Sequence, residues 1–180
     1  NFSSSINNWT GSILSNLVYR TGSDNLEIQP VQGSHQLQDS DYSVINGGFQ
    51  NKIQSSSLYS TIGGGGQNWI STGSSLSAIA GGQSNQIQNG CNSFIGGGNS
   101  NQILGANFCS GLYTINAVDN TIAGGDSNKI WESVSSFIGG GFSSLVSGSC
   151  NSAIVMGGSN IYNSTGSFIG GGETNKIVKK

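Results

Sequence analysis

Charged residues are scarce in this sequence. Lys, Arg, Asp and Glu make up 8 % of its 180 residues, with a formal net charge of −2, whereas about 25 % is usual for a globular domain. The six basic residues provide no positive surface for a phosphate backbone, so the composition argues against nucleic acid as a partner. No stretch approaches the roughly 18 apolar residues of a membrane-spanning helix, so we expect no membrane insertion.

Residues that commonly hold metals or act as nucleophiles are also few. The sequence contains one histidine, His35, and three cysteines, Cys91, Cys109 and Cys150. None of the cysteines forms a Cys-x-x-Cys pair, so the sequence predicts no zinc site and no cofactor. An odd number leaves at least one cysteine free or paired between chains. Cys91 and Cys109 either pair or are buried as small apolar side chains.

Glycine, in contrast, is abundant at 30 residues, and the sequence repeats. Versions of the phrase Ser136-Phe137-Ile138-Gly139-Gly140-Gly141 occur eight times, and each is followed by a second phrase. The second phrase is Asn-x-Ile in six copies and Ser144-Leu145-Val146 or Asn160-Ile161-Tyr162 in the other two. The lead isoleucines of the copies are Ile45, Ile62, Ile79, Ile95, Ile122, Ile138, Ile154 and Ile169. Their spacing is nearly constant except for one long interval, between Ile95 and Ile122. Such a period favours a stacked repeat array over a disordered chain.

The two phrases of each repeat have the apolar period of two that is typical of strands. About 16 residues are too few for two strands and a crossover helix, but they suit one coil of a solenoid with parallel strands. The sequence therefore predicts an all-β chain, a parallel β-roll or β-solenoid of about nine or ten coils. We expect the solenoid to occupy residues 26–180, with His35 in the asparagine column of the opening coil.

The glycine pair after each lead isoleucine is suited to a tight turn, because glycine adopts positive φ without steric cost. The asparagine six positions after the isoleucine is expected to form a stacked amide ladder inside the solenoid. The predicted ladder consists of Asn51, Asn68, Asn85, Asn101, Asn128, Asn160 and Asn175. The long interval after Ile95 holds either a degenerate coil at 110–115 or a loop excursion.

The residue just before each lead isoleucine is predicted to face outward, although it is mostly apolar, and its neighbour two positions on is small. Because a soluble monomer rarely exposes a continuous apolar stripe, this pattern predicts a homo-oligomer. The interface residues singled out are Val44, Phe94, Phe137 and Phe168.

Residues 1–25 lie outside the repeat. Their apolar residues fall near helical spacing, and we interpret them as a mobile leader or as a self-associating neck. The chain begins with Asn1 and has no signal-like segment, which favours a processed or excised protein.

Asn92-Ser93-Phe94-Ile95-Gly96-Gly97 and Asn151-Ser152-Ala153-Ile154 resemble the head repeats of YadA-like trimeric adhesins, with similar glycine-rich versions in phage and virus fibres. The resemblance covers residues 26–177. It implies a left-handed β-roll, three chains about one axis, and an extracellular adhesive role on a virion or cell surface. The repeat here is longer than the unit typical of that family, and the triple glycine is stronger.

No arrangement of residues in the sequence indicates catalysis. Asp126 and Glu173 share a turn column but lie three coils apart, at about 14 Å, too far for a glycosidase pair.

Aromatic rings on the outside are the candidates for ligand binding, because they stack on sugars and anchor interfaces. These candidates are Trp69, Trp131 and Tyr59. The sequence thus predicts a non-enzymatic attachment domain that recognises a host glycan or protein receptor, or alternatively a passive structural spacer.

Overall fold

The computed structural model of the chain describes residues 26–27, 35–105 and 118–179, so the predicted leader at 1–25 lies outside the described residues. Within them all regular structure is β-strand. The odd-numbered strands are short: β1 (Leu26–Glu27), β3 (Val44–Ile45), β5 (Thr61–Ile62), β7 (Ala78–Ile79), β9 (Phe94–Ile95), β11 (Thr121–Ile122), β13 (Phe137–Ile138), β15 (Ala153–Ile154) and β17 (Phe168–Ile169). The even-numbered strands are one residue longer: β2 (Gln36–Gln38), β4 (Lys52–Gln54), β6 (Trp69–Ser71), β8 (Gln86–Gln88), β10 (Gln102–Leu104), β12 (Lys129–Trp131), β14 (Leu145–Ser147), β16 (Asn160–Tyr162) and β18 (Lys176–Val178).

The strands form two parallel nine-stranded sheets. The odd-numbered strands pair in chain order as sheet A, and the even-numbered strands pair in chain order as sheet B. Each strand therefore stacks on its equivalent from the coil before, for example Ile138 of β13 beside Ile122 of β11. The chain is a parallel β-solenoid of about eight turns with about 16 residues per turn, which confirms the fold class predicted from the repeat.

The hydrophobic core is formed by one isoleucine-rich column from each sheet. Ile138 of sheet A and Ile130 of sheet B, for instance, are both 0 % exposed. Burying a side chain of this size contributes about 1.5–3 kcal/mol. The cluster contains Leu37, Ile45, Ile53, Ile62, Ile70, Ile79, Ile87, Ile95, Ile103, Ile122, Ile130, Ile138, Val146, Ile154, Ile161 and Ile169.

Asparagine side chains form a hydrogen-bonded ladder at the corner between the two sheets. Asn68 is representative: its Nδ2 donates to the carbonyl oxygens of Gly64 and Gly82, both at 2.9 Å. Its Oδ1 accepts from the backbone N–H of Asn85 at 3.1 Å. His35 occupies the first position of this column, where its Nδ1 accepts from the Asn51 N–H at 3.1 Å. The ladder gives buried backbone groups of the turn their partners.

Serines form comparable ladders elsewhere in the interior. The hydroxyl of Ser60 accepts from the backbone N–H of Ser77 at 3.3 Å and donates to the carbonyl oxygen of Ser74 at 3.0 Å. Ser57 and Ser74 repeat the relationship at another corner, where the Ser74 N–H donates to the Ser57 hydroxyl at 3.2 Å. The abundance of serine therefore reflects hydrogen bonding between coils.

The predicted ladder is wrong at Asn160. Asn160 pairs with Leu145 on the outer face of sheet B, and Ile161 pairs with Val146 in the core. Ser159 takes the ladder position instead, fully buried, and its hydroxyl donates to the Gly172 carbonyl at 3.2 Å.

The physical reason for this shift is a shorter turn. In the preceding coil Ser143, at φ 55°, precedes the ladder residue Ser144. The coil that begins at Ile154 has no residue corresponding to Ser143 between Gly158 and Ser159, so its second strand starts one residue earlier.

The long interval between Ile95 and Ile122 introduces no additional rung between the strands that flank it. Strand β9 pairs directly with β11, and β10 pairs directly with β12. The predicted degenerate coil at 110–115 lies outside the described residues. The strands on either side of the interval are therefore hydrogen-bonded neighbours in both sheets.

Candidate functional site

The described part of the solenoid carries a groove of about 330 Å³ on the outer surface of sheet B. It lies near the N-terminal end of the sheet. We call it the Trp69 groove and define it by its lining residues, which are Gln36, Gln50, Lys52, Gln67, Asn68 and Trp69. These residues include amide groups, one ammonium group and one indole ring, but no acidic side chain.

Register places three of these side chains in one row. Gln36 of β2 pairs with Lys52 of β4, and Lys52 pairs with Trp69 of β6. The three residues alternate with core residues along their strands and therefore point away from the core. With a strand separation of about 4.8 Å, the row spans roughly 10 Å.

Two further glutamines border this row from the turn between the sheets. Gln50 and Gln67 have φ values of 53° and 57°, in the left-handed region that non-glycine residues seldom adopt. Each residue immediately precedes its ladder asparagine, Asn51 or Asn68. The Nε2 of Gln67 donates to the Oε1 of Gln50 at 3.4 Å, so the two exposed amides form a short stack of their own.

Trp69 is half-buried, and its indole Nε1 is a buried donor without a hydrogen-bond partner in the described residues. An unsatisfied buried donor costs about 1–3 kcal/mol. Placing the ring at the groove therefore leaves the indole N–H without a hydrogen bond among the described residues. Of the three aromatic candidates selected from the sequence, Trp69 is the one that lines this groove.

The other two candidates make different contacts. The ammonium of Lys129 lies 5.2 Å from the ring centroid of Trp131, which is 45 % exposed. Tyr59 stacks on Tyr42 with ring centroids 4.9 Å apart and an interplanar angle of 4°. One face of each ring is thus already covered, by a cation in the first case and by a second ring in the other.

The three candidates do not form one site. Trp69 and Trp131 belong to β6 and β12, three strand spacings or about 14 Å apart along sheet B. Tyr59 lies in the segment that precedes β5 of sheet A.

Sequence reasoning identified Trp69 but did not identify Gln36, Gln50 and Gln67. The signal that could have found them is the glutamine content of the first coils at positions next to the ladder and core columns.

The outer face of sheet A differs strongly from this groove. We define it by two columns that contain no charged residue, listed here from the first coil to the last: Val44, Thr61, Ala78, Phe94, Thr121, Phe137, Ala153 and Phe168, with Asn46, Gly63, Ala80, Gly96, Ala123, Gly139, Val155 and Gly170. Val44 is half-buried, whereas Phe94, Phe137 and Phe168 are 41 %, 37 % and 65 % exposed.

The phenylalanines occupy every second strand of the C-terminal half of this face, and each lies over a glycine. A Cβ atom added to Gly139 would be 3.2 Å from a ring carbon of Phe137. The equivalent distance is 3.4 Å for Gly96 and Phe94. The same Cβ atoms would overlap the backbone carbonyl oxygen of the next coil, Val155 for Gly139 and Ala123 for Gly96. Glycine at these positions therefore permits the close approach of the coils beside the ring. The result is a row of phenyl groups separated by the small side chains of Thr121 and Ala153.

The acidic and cysteine residues do not assemble into a reactive centre in the described residues. No group of three His, Cys, Asp or Glu side chains there is arranged to hold a metal ion. Asp126 accepts hydrogen bonds from Ser127 at 2.6 Å and Asn99 at 3.3 Å. Cys91 is disulfide-bonded and Cys150 is a free thiol, while Cys109 lies outside the described residues.

No protein-family model and no curated protein matches this chain. Among the described residues, no helix is long and apolar enough to cross a membrane.

Proposed function

We propose that this chain is a self-assembling fibre or adhesin-head domain, displayed extracellularly on a virion or cell surface, that attaches to a host or another surface. The observation that carries the proposal is the uncharged outer face of sheet A with its exposed phenylalanines. A surface that lacks charge and exposes aromatic rings is typical of the centre of protein interfaces. In this role the chain binds and assembles without catalysing a reaction.

The partner proposed for this face is another copy of the chain. Phe94, Phe137 and Phe168 are two strand spacings apart, or roughly 10 Å. The gap between two successive rings, above Thr121 or Ala153, is wide enough to hold a side chain from a facing strand. A second copy offers rings and gaps with the same spacing, so the two surfaces can interdigitate.

Three copies about one axis are proposed from the resemblance to YadA-like heads. A trimer would bury three apolar faces at its centre and turn sheet B of each chain toward the outside. Three identical binding surfaces then act together, and multivalent display raises the apparent affinity without new contacts. This arrangement suits attachment to a surface that carries many copies of a ligand.

A passive structural spacer is the second candidate. It is favoured by the uniformity of the interior, in which each coil stacks on the next through the same isoleucine and asparagine columns. Such a stack is complete without a ligand. The two candidates share the assembly step and differ only in whether the assembled chain binds a surface.

Sedimentation equilibrium tests the assembly. We expect the 18.4 kDa chain to sediment at three times its own mass, and Phe137→Asp to sediment as a monomer with an unchanged circular dichroism spectrum. Gln102→Asp, on the outer face of sheet B, is the matched control and should leave the mass unchanged. Ile138→Asp should instead abolish the β-sheet signal. A monomeric wild-type chain, or equal effects of the Phe137 and Ile138 variants, would overturn the interface.

Attachment is tested separately on the assembled wild-type chain. Binding to a glycan array and to cultured cells is expected, and it should weaken for the monomeric Phe137→Asp chain because multivalency is lost. An assembled chain that binds neither glycans nor cells would favour the spacer.

A further inference from the structure

We propose that the Trp69 groove binds a sugar that carries a carboxylate group. The proposal deepens the attachment role and rests on it, since it names the ligand class that the attachment domain would recognise. It uses a surface within a single chain, so it does not depend on how the copies assemble.

The lining of the groove has the chemistry of a carbohydrate site. An indole ring offers a flat apolar surface for the C–H face of a sugar. Around it, the side-chain amides of Gln36, Gln50 and Gln67 each provide two N–H donors and one carbonyl acceptor. Sugar hydroxyls both donate and accept hydrogen bonds, and primary amides match both functions. The volume of about 330 Å³ is at the lower end of small-ligand pockets, a size that suits one or two sugar rings.

Lys52 adds the charge selectivity. Among the described residues that line the groove it is the only cation, and none of them is acidic. The other two lysines in the same column of sheet B are engaged with aromatic rings. Lys129 lies 5.2 Å from the Trp131 ring centroid, and Lys176 lies 5.3 Å from that of Tyr162. Lys52 has no ion pair or ring contact among the described residues, so its ammonium group is available to a ligand anion.

Lys129 and Trp131, which lie on the same strand, do not provide this separation of ring and charge. Both residues are on the outer face of sheet B, but the ammonium group occupies one face of the indole and is itself occupied by it. At the Trp69 groove the ring and the cation belong to adjacent strands, with Lys52 beside Trp69 in register. Ring and charge can therefore contact different parts of one ligand.

A glycan array that pairs acidic glycans with their carboxyl-reduced forms tests the proposal. The acidic members are uronic-acid oligosaccharides and sialylated glycans, and each is printed beside the form with its carboxylate reduced to an alcohol. We expect the wild-type chain to bind acidic members at least about tenfold more tightly than the reduced forms, because a charge-assisted hydrogen bond is lost on reduction. Binding should weaken as salt is raised.

Two variants locate the site. Lys52→Gln should abolish the preference for acidic forms while retaining the residual affinity for reduced ones. Trp69→Ala should weaken binding of both forms by about tenfold or more. Trp131→Ala, which removes another tryptophan from the same face, is the matched control and should leave binding unchanged. Thermal unfolding of each variant confirms that the solenoid is intact.

The possible failures are distinguishable. Equal binding of acidic and reduced glycans would overturn the ligand class and leave attachment standing. Surface binding that survives Trp69→Ala, or that is lost equally in Trp131→Ala, would overturn the groove as the site. A wild-type chain that binds no glycan but adheres to cells would overturn this inference alone, and one that binds neither would overturn the attachment role as well.

Discussion

The backbone N–H of Asn68 donates a 2.9 Å hydrogen bond to the side-chain oxygen of Asn51, one coil earlier in the solenoid. The same relationship joins Asn85 to Asn68 at 3.1 Å and Asn101 to Asn85 at 3.0 Å. Each asparagine side chain thus satisfies the backbone of the next coil while it also closes its own turn. The register between coils is fixed by side chains as well as by the strands.

Asn85→Ala should destabilise the solenoid by about 3–5 kcal/mol, because each buried group left unpaired costs about 1–3 kcal/mol, with partial relaxation. The substitution removes the partner of the Asn101 N–H and of the Gly81 carbonyl oxygen, which Asn85 contacts at 3.0 Å. It also removes one of two donors to the Gly98 carbonyl oxygen, which keeps its hydrogen bond from the Gln83 N–H. Denaturant unfolding followed by circular dichroism measures the loss.

Asn85→Ser is the matched control, because Ser144 and Ser159 fill this column in other coils. A hydroxyl restores part of the hydrogen bonding, so we expect a smaller loss of about 1–2 kcal/mol. If alanine and serine had equal effects, the ladder would contribute packing and not hydrogen bonds.

Gly141→Ala should be destabilising, whereas Gly140→Ala should be nearly neutral. Gly141 has φ 102°, and a Cβ atom there would lie 2.5 Å from the carbonyl oxygen of Gly157 in the next coil. A Cβ atom on Gly140 would meet nothing within 4 Å. The backbone conformation alone disfavours alanine at Gly141 by about 1–3 kcal/mol, and the overlap adds to it.

Thermal unfolding of the two glycine variants decides this prediction. A lower melting temperature is expected for Gly141→Ala, and Gly140→Ala serves as its neighbour within the same turn. Similar melting temperatures for both variants would mean that the turn tolerates a side chain at its tightest point.

The cysteines should titrate as one thiol per native chain. Cys91 is disulfide-bonded and Cys150 is a half-buried free thiol. Thiol titration with a chromogenic disulfide reagent is expected to give one equivalent before reduction and three after reduction in denaturant. Cys150→Ser should remove the single native equivalent. Since the bond of Cys91 lies within one chain, that variant should run as a monomer on a non-reducing gel, and a covalent dimer would contradict the prediction.

The period of the repeat was sufficient to predict the fold class and the two core columns. It succeeded because Ile138, Ile130 and their equivalents have to be buried at a fixed interval for coils to stack. The Trp69 groove was only partly predictable. Its aromatic residue could be selected by type, but Gln50 and Gln67 reach the groove from turn positions with positive φ. A strand periodicity does not place such residues.

The coil that begins at Ile154 shows where counting along the sequence fails. The spacing rule assigned Asn160 to the ladder, because asparagine is the usual residue there. Because the turn of this coil is one residue shorter, placing Asn160 in the ladder would move Ile161 out of the core. The chain instead keeps the isoleucine buried. Core burial, and not residue identity in the turn, therefore determines the register.

Asn160→Ala should accordingly change stability little, by less than about 0.5 kcal/mol, as expected for an outer-face substitution. Ser159→Ala should cost about 1–3 kcal/mol, because the fully buried hydroxyl donates to Gly172 at 3.2 Å.

Ile161→Ala should cost about 2–5 kcal/mol as a core truncation. Tyr162→Ala, the adjacent outer-face residue of β16, is the control for Ile161 and should have a much smaller effect. Denaturant unfolding of the four variants measures the order. A loss at Asn160 as large as that at Asn85 would restore the asparagine to the ladder and reverse the register assigned to this coil.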